Sequence, residues 1–126
     1  MIRLLSVART GTRFTMKMLQ DHNLKYFHTH FWGKGNIPDY DGIIIIPRRD
    51  KESARPRWNQ YHRRYAFTFD DVWREMEDYI ERNRENVYEF HVSDPSRRLD
   101  DLQQISVAVG VDLHVDFDKK VGEGRP

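Results

Sequence analysis

The stretch IRLLSVARTGTRFTMKMLQ, residues 2–20, carries the strongest indication of the fold. Ile2 to Ala8 is a short apolar segment typical of a buried strand, and Arg9-Thr10-Gly11-Thr12 directly after it predicts a tight turn. Apolar residues then recur at helical spacing between Arg13 and Gln20, and Thr12 is in position to cap this helix. The stretch therefore predicts a strand, a loop and a helix in immediate succession.

The rest of the chain continues the alternation of strands and helices. Further strands are predicted at Lys25–Phe31, Gly42–Ile46 and Val87–Val92, and helices from the capping-box pair Thr68 and Asp71 to Arg84 and over Leu99–Val109 up to Gly110. The four-isoleucine run is typical of a central, parallel strand that is buried on both faces. We expect an α/β fold of three layers, α/β/α, with a mainly parallel sheet and ligands at the carboxyl ends of its strands.

Length and composition limit the class of protein. A chain of 126 residues fits one domain, and its 7 Phe, 6 Tyr and 3 Trp supply apolar surface for a core. The absence of cysteine excludes disulfides, thiolate metal sites and a cysteine nucleophile, and a net charge of +1 argues against a general polyanion binder. The longest aliphatic run is too short to cross a bilayer, so we expect a cytoplasmic protein, with a flexible tail over residues 117–126.

A basic segment over residues 47–66 interrupts the pattern, and we interpret it as an inserted loop or irregular helix. Between residues 47 and 64 it carries seven basic residues against two acidic ones. Its aromatic residues, Trp58, Tyr61 and Tyr65, are available to stack on bases or to cover the edge of the sheet. The segment therefore leaves open a binding module for RNA or a phosphorylated partner.

Three predicted strands end in residues suited to an anion or to proton transfer. Arg9 to Arg13 combines a glycine turn, hydroxyl groups and guanidinium groups ahead of a helix, although the Walker sequence for Mg-nucleotides is missing. His28 and His30 fall on one face of their strand, where an imidazole can act as a general base. Arg48 and Arg49 follow the isoleucine strand and form a candidate phosphate clamp. Two histidines at this spacing are also compatible with a metal site.

The order of these motifs resembles the sulfotransferases that use 3′-phosphoadenosine 5′-phosphosulfate. Arg9 to Phe14 stand in the order of the family's Lys-Ser-Gly-Thr-Thr-Trp loop, and His28 to Phe31 resemble its Lys-Thr-His strand end. Ile43 to Asp50 are similar to the strand that leads into its Arg-Asn/Asp-Pro motif, and Val87 to Leu113 to its late strand, acidic turn and helix. Arg9 and His28 replace lysines of the family pattern.

The resemblance implies a compact sulfotransferase with a P-loop NTPase-like fold. His30 would be the general base for an acceptor hydroxyl or amine, with Arg9 and His28 supplying charge at the leaving group. No metal would be required. The residues implied to contact the donor are Arg9, Thr10, Gly11, Thr12, Arg13, Phe14, Arg48, Arg49 and Ser53. A nucleotide-dependent phosphotransferase and a non-catalytic nucleotide- or nucleic-acid-binding module stay open as alternatives.

Overall fold

The computed structural model describes residues 1–118, in which four strands alternate with helices. The elements are β1 (Ile2–Ser6), α1 (Thr12–Asp21), β2 (Tyr26–His30), β3 (Ile44–Pro47), α2 (Lys51–His62), α3 (Phe69–Arg82), β4 (Val87–Phe90) and α4 (Arg98–Val109). The strands form one sheet in the order β2-β1-β3-β4, and each neighbouring pair is parallel. The predicted α/β class and parallel sheet are confirmed. Most of the predicted tail lies outside the described residues.

The isoleucine run explains why helices pack on both faces of the sheet. Ile44 and Ile46 are buried against side chains of α2 and α3, whereas Ile45 is buried with side chains of α1 and α4. This division follows from the alternation of side chains along a strand. β3 is therefore an interior strand, as predicted, and its residues are apolar because neither face meets water. No helix within residues 1–118 is long and apolar enough to cross a membrane.

Local signals predict the start of α3 and the end of α4 correctly. Thr68 accepts a hydrogen bond from the Asp71 backbone N–H, and the Asp71 carboxylate accepts one from the Thr68 N–H, which completes the predicted capping box. α4 ends at Gly110 in the left-handed conformation, with φ 71°. These two helices cover opposite faces of the sheet.

The start of α1 differs from the prediction that Thr12 caps it. Gly11 occupies the N-cap position with φ 98°, and no side chain caps the helix. Thr12 is the first helical residue, and its hydroxyl donates instead to Ser6 Oγ at 2.9 Å. The prediction was wrong because the buried Ser6 hydroxyl offers Thr12 a partner at the end of β1.

The basic segment contains a regular twelve-residue helix, α2, although Pro56 lies inside it. Asp50 caps the helix by accepting hydrogen bonds from the backbone N–H and the hydroxyl of Ser53. Arg55 forms an ion pair at 3.1 Å with Asp70, at the start of α3. Carboxylates outside the segment thus balance part of its charge.

Candidate anion-binding site

The candidate site lies beyond the carboxyl ends of β1 and β2, beside the point between β1 and β3 where the chain reverses direction across the sheet. From β1 the chain moves to one side to form β2 and later crosses to the other side to form β3. Ligands of open parallel sheets bind in the crevice beyond the carboxyl ends of the strands at such a point. Ser6, the last residue of β1, pairs with His30, the last residue of β2. The residues after these two strands are therefore close in space.

The loop between β1 and α1 has an unusual backbone conformation. Arg9 has φ 72° and Gly11 has φ 98°, so two residues of one short loop are left-handed. For a residue other than glycine this conformation costs ~1–3 kcal/mol, and such residues cluster at ligand sites. The Thr10 hydroxyl donates to the Val7 carbonyl oxygen at 2.6 Å, so this buried side chain holds the loop together.

Arg9 carries a charge without an acceptor. Its guanidinium carbon lies 4.0 Å from the centre of the Tyr61 ring, a cation–π contact with α2. Arg9 Nε is buried and has no hydrogen-bond partner among residues 1–118, and no carboxylate there forms an ion pair with the guanidinium. Because buried polar atoms are usually paired, the arrangement favours an anion beside Arg9.

Ser6 joins the two histidines of β2. The Ser6 hydroxyl lies 3.3 Å from His28 Nε2 and 3.2 Å from His30 Nδ1, and it accepts the Thr12 hydroxyl proton. His30 Nδ1 also lies 3.2 Å from the Ser6 carbonyl oxygen, which can only accept. The consistent assignment has His30 Nδ1–H donating to Ser6 and the Ser6 hydroxyl donating to His28 Nε2. His30 Nε2 is then the nitrogen with a free lone pair.

Burial keeps both histidines in the neutral form. Desolvation by burial, together with the unfavourable interaction of a charged His30 with His28, His62 and Arg9, lowers the pKa of His30 to about 4, although the backbone hydrogen bond to Ser6 raises it. Desolvation by burial also lowers the pKa of His28. At neutral pH, His30 therefore has an unprotonated Nε2.

Aromatic side chains connect these histidines to α2. The Trp32 ring lies 5.2 Å from His30, 5.3 Å from His62 and 5.2 Å from Tyr65, measured between ring centroids. Trp58 stacks on His62 at 4.8 Å and is almost fully buried. Trp58 therefore packs in the core, while His62 and Trp32 extend the site from β2 toward α2.

Arg48 forms ion pairs with two carboxylates, so its guanidinium is not free to hold a phosphate. Its guanidinium donates to Glu89 of β4 at 2.5 Å and to Glu77 of α3 at 3.0 Å, and it lies 5.4 Å from the Trp73 ring. Arg49 follows it half-buried and forms no ion pair within the described part of the chain. Of the two arginines predicted to hold a phosphate, Arg49 is the one whose charge is unbalanced.

The remaining predicted donor contacts fall in different surroundings. Phe14 stacks on Phe117 at 5.6 Å and packs against Phe90, inside the apolar cluster on the α1 and α4 face. Ser53 is bound to Asp50 in the cap of α2. Arg13 is exposed at the first turn of α1. The structure thus brings together Arg9, His28 and His30 and gives Phe14 and Ser53 roles in packing and capping.

Sequence reasoning did not assign Ser6, Trp32 and His62, and it named Tyr61 only as a ring available to stack on bases or to cover the edge of the sheet. Ser6 had a local signal, because a buried polar residue at the end of an apolar strand needs a partner. Tyr61 and His62 reach the site only through the path of α2 from β3 back toward β2. No local pattern encodes that path.

No family model, curated protein or solved structure matches this chain. Within residues 1–118 no group of three or more histidine or carboxylate side chains is arranged to hold a metal ion.

Proposed function

We propose that the protein is a small sulfotransferase with a P-loop-like fold, and that it transfers a sulfuryl group from 3′-phosphoadenosine 5′-phosphosulfate to an acceptor hydroxyl. The observation that carries the proposal is Arg9, whose guanidinium has no counter-charge and lies near the neutral base His30. The order of motifs from β1 to β4 supports the same activity. Arg9 suits the phosphosulfate, and Arg49 is available for the 3′-phosphate.

In the proposed reaction, the acceptor oxygen forms a bond to sulfur as the bond from sulfur to the 5′-phosphate oxygen breaks. The acceptor proton passes to His30 Nε2, because Ser6 holds the proton of Nδ1. Arg9 stabilises the negative charge that develops on the leaving phosphate. Ser6 and Thr12 hold the imidazole in place but do not touch the reacting atoms in this scheme.

The test combines donor binding with turnover. Calorimetry is expected to show that 3′-phosphoadenosine 5′-phosphate binds more tightly than ATP. Arg9→Ala should weaken this binding by about 10- to 100-fold, the equivalent of one charged hydrogen bond. Arg74→Ala is the matched control, because Arg74 is exposed on α3 and its removal changes the net charge equally. Magnesium-dependent ATP binding would favour the phosphotransferase alternative.

Turnover is measured as transfer of labelled sulfate to a library of hydroxyl compounds. His30→Ala should abolish transfer and leave nucleotide affinity nearly unchanged, because a general base acts mainly on the transition state. His114→Ala, which alters an exposed side chain, is the control. An active His30→Ala protein would exclude this base. An inactive wild type whose ligand affinity falls steeply with salt would instead favour the nucleic-acid-binding module.

A further inference from the structure

Two further histidines and one arginine lie near His30, beyond the ends of β1 and β2. His28 and His30 come from β2, with ring centroids 4.4 Å apart, and His62 comes from the end of α2. Arg9 comes from the loop after β1, and the charges that act on His30 are those of His28, His62 and Arg9. No carboxylate is among these groups, although the chain has 20 acidic residues against 21 lysines and arginines.

The hydrogen bonds of His30 use Nδ1 and leave its other ring nitrogen, Nε2, free to take up a second proton. From β1, the Ser6 carbonyl oxygen accepts the proton on Nδ1, and from α1, Thr12 reaches Ser6 through its hydroxyl. Nε2 forms no hydrogen bond within residues 1–118. A protonated His30 would keep its bond to Ser6 and gain one N–H donor at Nε2.

We propose, building on the function proposed above, that Arg9, His28, His30 and His62 form a proton-coupled site for a tetrahedral dianion, a sulfate or phosphate group, and that His30 takes up a proton at Nε2 when the anion binds. Burial, and then the neighbouring His28, His62 and Arg9, disfavour a charge on His30, so an anion placed beside His30 offsets part of that cost. The bound anion then accepts a hydrogen bond from the new N–H.

The size of the coupling follows from the environment of His30. Its pKa in the free protein is about 4. An opposite charge within ~4–6 Å raises the pKa of a cationic group substantially, so we expect ~6–6.5 in the complex. Affinity for the dianion should then rise about 4- to 10-fold as the pH falls from about 7.5 to about 5.5.

The same proton has the opposite effect on turnover. A protonated His30 cannot accept the proton of an acceptor hydroxyl. Sulfuryl transfer should therefore decline with falling pH, with the midpoint at the pKa of His30 in the complex. Ligand binding and turnover should thus have opposed pH profiles.

The experiment uses the full chain and inorganic sulfate, whose charge is constant over this pH range. NMR titration of the histidine side chains, with saturating sulfate and with chloride at matched ionic strength, gives the pKa of each histidine. The pKa of His30 is expected to rise in sulfate. His22 and His114 are controls in the same spectrum, because His22 is bound to the Met18 carbonyl oxygen and the His114 side chain is exposed.

Two variants test the assignment of the proton. His30→Gln should bind sulfate with nearly the same affinity at both pH values. Arg9→Gln should weaken sulfate binding and reduce the rise in the His30 pKa. Equal sulfate affinity of the wild type at both pH values, an unchanged His30 pKa, or no sulfate binding would each overturn the inference.

Failure of this inference is distinguishable from failure of the proposed function. If the protein transfers sulfuryl groups but His30 takes up no proton when sulfate binds, the proposed function stands and the proton-coupled site is rejected. If sulfate binding protonates His30 but the protein transfers no sulfuryl group, the proton-coupled site stands and the proposed sulfotransferase function is rejected.

Discussion

Substitution of Arg48 by alanine should reduce the stability of the fold and leave ligand binding nearly intact. Its side chain is only 15% exposed and donates to two carboxylates, those of Glu89 and Glu77. A charged hydrogen bond contributes ~1.5–3 kcal/mol, and the bond to Glu77 falls below that range because Glu77 is half-exposed. Loss of the contact with Trp73 adds ~0.5–1 kcal/mol. The expected destabilisation is about 2–4 kcal/mol.

Urea denaturation followed by tryptophan fluorescence measures this change, which corresponds to a fall in Tm of ~8–16 °C for a chain of this size. Arg49→Ala is the matched control, and its stability should stay within ~0.5 kcal/mol of the wild type. A double-mutant cycle with Glu89→Gln should give a coupling energy of at least ~1 kcal/mol.

The reasoning fails if Arg48→Ala is as stable as the wild type. It also fails if the folded Arg48→Ala protein binds 3′-phosphoadenosine 5′-phosphate more than about tenfold more weakly, since each charged contact to a phosphate is worth about that factor. Unchanged stability would show that the ion pairs contribute little to the fold. Only the loss of binding would show that Arg48 leaves its carboxylates to hold a ligand, as the clamp expected from the sequence requires.

Three further predictions concern the loops around the sheet and His30 of β2. Gly11→Ala should destabilise the protein by ~1–3 kcal/mol in urea denaturation, because φ is 98° and the new methyl would lie 3.3 Å from Val92. Glu75→Gln should speed amide exchange at Gly33, since the carboxylate accepts that N–H at 2.8 Å; unchanged exchange would mean that the loop is held otherwise. Burial depresses the pKa of His30 from 6.5 to about 4 in the folded protein, so the unfolded chain takes up a proton first as the pH falls. The free energy of unfolding should therefore fall by up to ~3 kcal/mol as the pH drops from 6.5 to about 4. The His30→Gln protein should lose less stability over the same pH range, and an equal loss would contradict the assignment of the lowered pKa to His30.

Patterns read over short distances predicted most of the elements. The capping box at Thr68 and the apolar spacing after it predicted α3, which begins at Phe69. The isoleucine run predicted β3 because only a strand with two buried faces is apolar throughout. α2 was harder to predict because Pro56 and many charges mask its helical pattern, and only Ala54 and Trp58 are buried.

The candidate site shows the same division between local and long-range information. Alternation along β2 correctly placed His28 and His30 on one face, and their rings are in contact. The partners of Arg48 lie 29 and 41 residues away, so no window of sequence could show that its charge is already balanced. Tyr61 reaches Arg9 only through the packing of α2.

The charge of the basic segment bears on whether the proposed ligand is a nucleotide or a long polyanion. Three of its seven cations are paired with carboxylates of α2, α3 and β4: Arg48, Lys51 and Arg55. Of the residues that would stack on bases, Trp58 is buried and Tyr61 lies against Arg9. A long anionic strand needs an unbroken row of cations and exposed rings, and pairing and burial interrupt both. A compact anion needs only a few donors in a poorly solvated place, and the buried Nε of Arg9 is such a donor. The distribution of charge therefore favours a small phosphate- or sulfate-bearing ligand over a nucleic acid.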